Sequence, residues 1–426
     1  MVFFIFNKKM DKINVLVIPS DNQGGVGFYR SAQPHMQLEK QFPDKFSVTI
    51  DMNPNFYDLI GFKKYQIIHI HKGFFPDMNQ FKKAMKFFKE QGIITIMDID
   101  DHWKLSPHHP QYISQLRSGT DKLAVENMKM FDYITTTTEL FADEIKRINP
   151  NVKIIPNSID PTDPRFAVNK RPFNKLRVGM IMGSSHEYDV QLVGNLLNQL
   201  AGMGDLNKIQ FVLCGFDTRG SITMIDPNTG RQEQRALAPK ETVWYRYEKQ
   251  LTDNYKVISP QYKQFLDMFL WGSVYPFADM EPYKRCWTKD MNHYYEHYSE
   301  VDVLLAPLEE NNFNKVKSPL KVAECCFSHT AIIAQNFGPY TIDLKNIFDR
   351  NGNISPDGNA MLVDSSKNHK QWAKYIHRLA NDPELVKTLQ DRLYDSTHEK
   401  YDLRNVTNDR AAWYEKIVSD RIAEKN

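Results

Sequence analysis

The sequence predicts an α/β protein of two doubly wound domains, each a parallel β-sheet with helices on both faces. Short apolar runs alternate with amphipathic helical stretches along most of the chain, and strands separated by helices form βαβ units. A segment with three prolines, residues 161–175, interrupts this pattern once, and the pattern then restarts. Because domains ordinarily have about 100–200 residues, we expect a chain of 426 residues to form one domain on each side of this linker.

In the first half, the predicted strands are rich in β-branched residues and are Ile13–Pro19, Phe46–Met52, Gln66–His71, Ile93–Ile99, Tyr133–Thr138 and Val152–Pro156. The helices predicted between them are Phe28–Gln41, Gln80–Gln91, Leu123–Phe131 and Glu139–Ile148.

In the second half, the predicted strands are Leu176–Met182, Ile209–Cys214, Val301–Ala306 and Ala331–Ala334. The predicted helices are Tyr188–Leu200, Pro319–Cys326, Gln371–Ala380, Pro383–Tyr394 and Val406–Ala423. Residues 217–290 are rich in aromatic and turn-forming residues without a clear period, which predicts an irregular insertion.

The composition excludes several classes of protein. With 41% hydrophobic and 25% charged residues, the chain is globular rather than disordered. A net charge of +2 disfavours nucleic acid as a partner. The four cysteines form no CxxC pair, which disfavours a zinc site and fits a reducing compartment. The apolar run at the start is too short for a signal sequence, and Met10 is an alternative start, so we expect a cytoplasmic protein.

A glycine-rich turn containing Gly24 and Gly25 follows the first predicted strand. Glycine lets backbone N–H groups approach an anion or a sugar, and the next helix offers its positive N-terminus. Arg30, close by, either neutralises a phosphate or lies in solvent. The alternative for the glycines is a tight strand-to-helix turn with no ligand.

An acidic cluster, Asp98 to Asp101 followed by His102, lies at the carboxyl end of another predicted strand. Carboxylates there can bind sugar hydroxyls, act as a base or hold a divalent cation. We therefore consider Asp100, Asp101 and His102 candidate catalytic residues. A strand-end turn with a capping aspartate is the alternative.

The second half opens with a small, hydroxyl-rich loop at a helix N-terminus, which suits a diphosphate. The loop contains Gly183, Ser184 and His186, and Asp189 follows in the first turn of the helix. An ordinary N-cap explains the serines and the acidic residues, but it does not explain His186.

The most specific pattern follows the strand at 301–306. Lys317, Ser318 and Lys321 converge on the N-terminus of the helix predicted at Pro319, and Glu324 lies three residues further on the same face. This arrangement predicts a diphosphate site, with a carboxylate for vicinal ribose hydroxyls. A Lys–Glu pair on a solvated helix is the alternative.

With these residues the chain resembles glycosyltransferases of the GT-B fold, closest to the retaining, family 4-like group (glycosyltransferase group 1 type). The resemblance covers about residues 13–420 and rests on the turn at 24–27, the segment 155–160, the stretches 178–189 and 302–324, and Tyr401-Asp402 with the long terminal helix.

The resemblance implies two Rossmann-like domains that face each other across a cleft. Residues 1–165 form the acceptor-side domain and residues 166–400 the donor domain, and the terminal helix at about 400–426 packs back on the first domain. A nucleotide-sugar is the implied donor, and a carbohydrate, a lipid-linked molecule or another compound is the acceptor.

Residue by residue, the resemblance implies that Lys321 contacts the donor diphosphate and Glu324 the ribose, with Lys317 and Ser318 beside the phosphates. His102 or Asp101 takes the place of a sugar-contacting residue. The family's second basic residue lies after the first donor-domain strand, where this chain offers His186, with Arg219 after the next strand. The chain departs from the E-x7-E pattern, because Val316 stands where the first glutamate is expected.

We expect a retaining transfer that requires no metal and no cofactor, since basic side chains and a helix dipole neutralise the leaving group. An inverting transfer would need a base, for which Asp100, Asp101 and His102 are the candidates. The alternatives are a nucleotide-sugar epimerase, a nonenzymatic GT-B protein that binds sugar or nucleotide, and a phage-type DNA glucosyltransferase. A peripheral membrane contact and the oligomeric state stay open.

Overall fold

The structure, a computed structural model, describes residues 12–21, 24–73, 77–225, 232–364 and 369–425. The described part of the first half forms one sheet from β1 Ile13–Ile18, β2 Phe46–Ile50, β3 Ile67–His71, β4 Ile94–Asp98, β5 Tyr133–Thr136 and β6 Val152–Ile154. Its strand order is β2-β1-β3-β4-β5-β6, and all neighbouring strands are parallel. The alternative start sites Met1 and Met10 lie outside the described residues.

The second half repeats this arrangement. Its strands are β7 Leu176–Ile181, β8 Ile209–Phe216, β9 Ser221–Ile225, β10 Gln232–Ala236, β11 Tyr283–Trp287, β12 Val303–Ala306, β13 Ala331–Gln335 and β14 Met361–Val363. A parallel sheet has the order β11-β8-β7-β12-β13-β14, while β9 and β10 form a separate antiparallel pair. Strands such as β4 and β13 are buried along their whole length, as expected of parallel strands covered on both faces.

The α-helices between the strands cover both sheets. They are α1 Gln33–Gln41, α2 Met78–Gln91, α3 Tyr112–Ser118, α4 Thr120–Met130, α5 Glu139–Ile145, α6 Glu187–Gln191, α7 Leu196–Gly202, α8 Val243–Leu251, α9 Pro260–Asp267, α10 Asn312–Lys315, α11 Leu320–Phe327, α12 Tyr340–Asp343, α13 His369–Ala380, α14 Pro383–Tyr401 and α15 Leu403–Lys425. A π-helical turn, Gly27–Ala32, precedes α1. No helix in these parts of the chain is both long and apolar enough to cross a bilayer.

The terminal helix α15 packs on the first sheet, although it follows the second one in the chain. Ala411, Tyr414 and Ile417 belong to one apolar cluster with residues of β1, β3 and β4. The Tyr414 hydroxyl lies 2.9 Å from the His35 ring. The first domain therefore includes the last part of the sequence in its core.

The interpretation of residues 217–290 as an irregular insertion is wrong for the part that the structure describes. Strand β11 pairs with β8 as the edge strand of the second sheet, and Trp244 and Tyr247 of α8 belong to the same core cluster as β7 and β8. The strand escapes detection because it carries Lys284 and Arg285; Arg285 is buried by pairing with Glu248 of α8.

The helix predicted at Tyr188–Leu200 is also divided. Asn195 has a left-handed backbone conformation, with φ of 58°, which ends α6 and its following turn before α7 begins. Asparagine tolerates this conformation better than most residues, so the break agrees with the local chemistry although the apolar period runs through it.

Candidate functional site

A cavity of about 500 Å³ lies between the two sheets, at the carboxyl ends of their strands. Gly25 follows β1, Asp100 follows β4 and Gly183 follows β7, and all three line it together with Lys321 of α11. Parallel α/β sheets ordinarily bind ligands at this edge. The structure thus brings together candidate residues from both halves.

Lys321 and Glu324 form an ion pair at one wall of the cavity. The Lys321 Nζ donates to Glu324 Oε2 at 2.9 Å and to the Tyr294 hydroxyl at 2.6 Å. Glu324 also accepts from the Tyr298 hydroxyl at 2.7 Å, and its side chain is fully buried while that of Lys321 stays 23% exposed. The alternative of a solvated surface pair is therefore wrong.

Electrostatics keep this lysine charged. Burial alone lowers the pKa of Lys321, but the Glu324 carboxylate and the Tyr294 hydroxyl outweigh it and raise that pKa above its ordinary value. Burial and the same carboxylate raise the pKa of Tyr294 to about 12. The cavity wall therefore presents an ammonium group at neutral pH.

Lys317 and Ser318 border the same cavity before α11 begins. The Lys317 Nζ lies 5.1 Å from the centroid of the Phe313 ring. The Ser318 hydroxyl accepts from the Asn157 amide of the first domain at 3.0 Å. Two lysines and the N-terminus of α11 thus face one region of the cavity, where an anion is favoured.

His186 is held by a buried carboxylate. Its Nδ1 lies 2.6 Å from Asp189 Oδ2. A carboxylate only accepts hydrogen bonds, so Nδ1 carries the proton and donates. The other oxygen of Asp189 accepts from the Glu309 backbone N–H. Burial raises the pKa of Asp189, but His186 and Lys317 outweigh burial and lower that pKa below its ordinary value. His186 lines the cavity with a fixed orientation.

Gly183 lines the cavity, whereas Ser184 supports the loop through its backbone. The Tyr247 hydroxyl donates to the Ser184 carbonyl at 3.0 Å and accepts from the His186 N–H at 3.0 Å. A tyrosine from α8, inside the stretch 217–290, therefore shapes this loop. The sequence alone gives no sign of that contact.

The glycine turn is built around Asp21. Its carboxylate accepts from the backbone N–H groups of Gly24 and Gly27, so the Gly24 N–H is engaged within the turn, while Gly25 lines the cavity. A Cβ on Gly27 would lie 2.2 Å from the Asp21 carbonyl oxygen, which explains why glycine stands there. The interpretation as a tight turn holds for Gly24.

Arg30 is not solvated: it lines the cavity, and its guanidinium is engaged within the protein. Its side chain is buried and donates to both oxygens of Asp98, at 2.6 and 2.9 Å, and to the Ile155 carbonyl at 2.7 Å. Burial raises the pKa of Asp98, but the guanidinium outweighs it and lowers that pKa. This pair fastens the first helical turn to β4.

Asp100 and Asp101 share a cation. The Lys72 Nζ lies 3.1 Å from Asp100 and 3.3 Å from Asp101, and the His71 Nε2 lies 3.1 Å from Asp100. Burial, which raises the pKa of Asp100, is outweighed by Lys72 and His71, which lower it. Asp100 is nearly buried, whereas the Asp101 side chain is 38% exposed and faces the cavity.

Two candidate residues lie apart from this group. His102 stacks on Trp103 with ring centroids 4.3 Å apart, and lines two neighbouring cavities rather than this one. Arg219 is exposed, pairs with Asp217 and lies over the Trp271 ring. The structure therefore does not bring His102 or Arg219 to the shared cavity, because their neighbouring side chains hold them elsewhere.

No protein-family model and no curated protein matches the sequence. Solved structures are similar in fold. Sucrose-phosphate synthase from Thermosynechococcus elongatus matches at 12% identity and a TM-score of 0.56, over 96% of this chain and 100% of that one. HepE from Anabaena, in complex with UDP and glucose, matches at 13% identity and a TM-score of 0.53, over 95% and 100%.

The catalytic domain of starch synthase IV from Arabidopsis thaliana, bound to ADP and acarbose, matches at 11% identity and a TM-score of 0.53, over 97% of this chain and 99% of that one. These structures are GT-B glycosyltransferases, and the two Rossmann-like sheets described above have the same fold. The predicted fold class is thus confirmed. Membership of the family 4-like group stays a prediction.

Proposed function

We propose that the protein is a glycosyltransferase that moves a sugar from a nucleotide-sugar to an acceptor. One observation carries the proposal: a charged lysine, Lys321, is fastened by a buried carboxylate at the end of a cavity between two Rossmann-like sheets. Lys317 and the N-terminus of α11 face the same region. This is the electrostatic environment that a departing nucleoside diphosphate requires.

The fold neighbours support the choice of substrate class. HepE was solved with UDP and glucose, and starch synthase IV with ADP and acarbose. We propose a nucleoside diphosphate sugar as the donor of this chain as well, with its diphosphate beside Lys317 and Lys321. His186, with Nδ1 fixed by Asp189, directs Nε2 to the donor.

The reaction that we propose is a substitution at the anomeric carbon of the donor sugar. The bond from that carbon to the diphosphate oxygen breaks as the bond to the acceptor oxygen forms. The ammonium of Lys321 stabilises negative charge that grows on the leaving oxygen. In the retaining course that we propose, the leaving phosphate takes the acceptor proton, so no side chain acts as nucleophile.

We further propose that the transfer requires no metal. Each carboxylate of the acidic cluster already has a cationic neighbour: Asp98 has Arg30, and Asp100 and Asp101 share Lys72. A divalent cation at these carboxylates would have to displace Arg30 or Lys72 or be repelled by their positive charge. The leaving group is instead neutralised by the two lysines on the opposite side of the cavity.

A calorimetric screen of UDP, GDP, TDP, CMP and ADP tests the proposal. We expect one nucleoside diphosphate to bind selectively and Lys317→Ala to weaken it at least tenfold. Lys315→Ala, which alters an exposed lysine outside this cavity, is the matched control and leaves affinity unchanged. Absence of binding by every nucleotide would refute the donor site.

The position of Val316 favours one other candidate, a GT-B protein that binds without turnover. Val316 is 1% exposed and packs in an apolar cluster with core residues of the first domain. The position at which the E-x7-E pattern has its first glutamate therefore carries no carboxylate in this chain. Incubation of the binding nucleotide-sugar with a mixed acceptor pool separates the two: transfer yields nucleoside diphosphate and glycosylated product. Binding with no release of nucleoside diphosphate would favour the nonenzymatic candidate.

A further inference from the structure

Helix α3 borders a second cavity with one polar face, on which Gln115 is half-buried and Gln111, Ser114 and Ser118 are exposed. Gln111 at its N-cap, Ser114, Gln115 and Ser118 follow helical spacing along one face and line a single cavity. Ile113 and Leu116, on the other side, are 55% and 59% exposed. Surface helices ordinarily bury their apolar side, so core packing does not explain this orientation.

The cavity that α3 borders, called the α3 cavity below, has a volume of about 460 Å³. Small-molecule sites have roughly 300–1,000 Å³. Asp101, His109 and Phe313 line both it and the donor cavity. The other large cavity nearby, of about 700 Å³, shares Phe313 alone with the donor cavity among the described lining residues. The α3 cavity is therefore the continuation of the donor site into the first domain.

The walls of the α3 cavity are held in place by Gln115. Its amide nitrogen donates to the Trp103 carbonyl at 2.8 Å, and its amide oxygen accepts from the Leu105 N–H at 2.9 Å. The helix and the loop that carries Trp103 are thus joined. The indole ring of Trp103 and the amide and hydroxyl groups of α3 all line the cavity.

The charge in the α3 cavity is balanced. Lys72 and Asp101 are the one lysine and the one carboxylate among the described lining residues, and they form an ion pair at 3.3 Å. The remaining polar side chains are neutral amides, hydroxyls and histidines. Such a surface offers hydrogen bonds to hydroxyl groups without a spare cation for a phosphate, and its polar α3 face disfavours a lipid tail.

We propose that the α3 cavity binds the acceptor and that the acceptor is an uncharged carbohydrate. The inference rests on the proposed function for the donor side. An acceptor hydroxyl at the junction lies next to Asp101, which accepts its hydrogen bond. The acceptor oxygen then bonds to the anomeric carbon, the bond from that carbon to the diphosphate breaks, and the proton leaves with the diphosphate.

The test is ligand-observed NMR on the full chain with three probe sets: neutral oligosaccharides, hexose phosphates, and phosphatidylglycerol vesicles. We expect a neutral oligosaccharide to bind, and Ser114→Leu and Gln111→Leu each to weaken it at least tenfold. Leu116→Ser, on the outer side of the same helix, keeps affinity within about twofold. Thermal unfolding of each variant establishes that it is folded. Binding of only hexose phosphates or vesicles, no binding of any neutral oligosaccharide, or equal loss in Leu116→Ser would overturn the proposal.

Nucleoside diphosphate affinity, measured separately, distinguishes this inference from the proposed function. Ser114→Leu should leave that affinity unchanged, because Ser114 does not line the donor cavity. If neutral oligosaccharides bind in a Ser114-dependent way and no nucleotide binds, the carbohydrate site stands and the donor assignment fails. If nucleotide binds and no neutral oligosaccharide does, the donor assignment stands and the acceptor inference fails.

Discussion

Replacing Lys321 by methionine should destabilise the fold as well as remove nucleotide binding. Methionine keeps the aliphatic length but removes the cation, so the partners that remain to the fully buried Glu324 carboxylate among the described residues are hydroxyl groups, chiefly that of Tyr298 at 2.7 Å. Removal of one partner of a buried ion pair costs roughly 3–5 kcal/mol. Because Lys321 is 23% exposed and water can enter, we expect the lower end, about 3 kcal/mol.

The assay is urea and thermal unfolding of the full chain at pH 7.5, in a double-mutant cycle of Lys321→Met, Glu324→Gln and the double variant. In a domain of this size about 1 kcal/mol shifts the melting temperature by roughly 2–4 °C, so Lys321→Met should melt about 6–12 °C lower. The double variant Lys321→Met, Glu324→Gln removes the stranded charge and should recover most of the stability. Both variants should lose nucleoside diphosphate binding.

The reasoning fails if Lys321→Met is as stable as the wild type within about 0.5 kcal/mol. That result would show that the ion pair between Lys321 and Glu324 is solvated and contributes little to stability. A double variant no more stable than the single one would show that Glu324 is not stranded when the lysine is lost. Recovery of stability together with recovery of nucleotide binding would remove Lys321 from the donor site.

Three further outcomes follow. Excess EDTA should leave transfer activity unchanged; a loss that magnesium or manganese restores would reassign the acidic cluster as a metal site. Burial lowers the pKa of His297 to about 3, whereas an unfolded histidine titrates near 6.5, so the unfolded chain binds the extra proton and stability falls as the pH drops below about 6.5. His297→Gln should lessen the fall in stability between pH 7.5 and pH 5.5 by about 1.4 kcal/mol in total, measured by urea unfolding at the two pH values, and an unchanged fall would contradict it. Truncation after Asp402 should expose β1 and β3 to hydrogen exchange before the second sheet, since α15 covers them; uniform protection would show two independent halves.

The sequence predicted the parallel strands well because each buried strand is a continuous apolar run, as in β4 and β13. It failed where burial depends on pairing. Arg285 of β11 is buried in an ion pair with Glu248, which lies 37 residues earlier in the chain. The aromatic and turn-forming residues of 217–290 predict an irregular stretch, and a charged residue among them supports a loop as long as its partner is unknown.

The candidate site shows the same division. The loops after β4, β7 and β12 were predicted to hold the chemistry, and Asp100, Gly183 and Lys317 all line the cavity. Which side chains are free to meet a ligand was not predictable. Arg30 and Gly24 are engaged by Asp98 and Asp21, and the hydroxyls of Tyr294 and Tyr298 that surround Lys321 and Glu324 come from a segment with no strand-end pattern.

Contacts across the cavity couple the two domains to whatever fills it. The Tyr29 hydroxyl of the first domain lies 3.4 Å from Glu324 of the second, and the Asn157 amide donates to Ser318. Both bonds end on the α11 region, where we place the diphosphate and the ribose. A nucleotide-sugar whose ribose hydroxyl donates a hydrogen bond to Glu324 therefore competes with Tyr29, while one that also reaches Gly25 gains contacts with both domains. Such a ligand can shift the equilibrium between the closed and the open arrangement of the two domains only by the difference between its affinities for them. Tyr29→Phe removes the hydrogen bond between Tyr29 and Glu324 and leaves the bond between Asn157 and Ser318 in place.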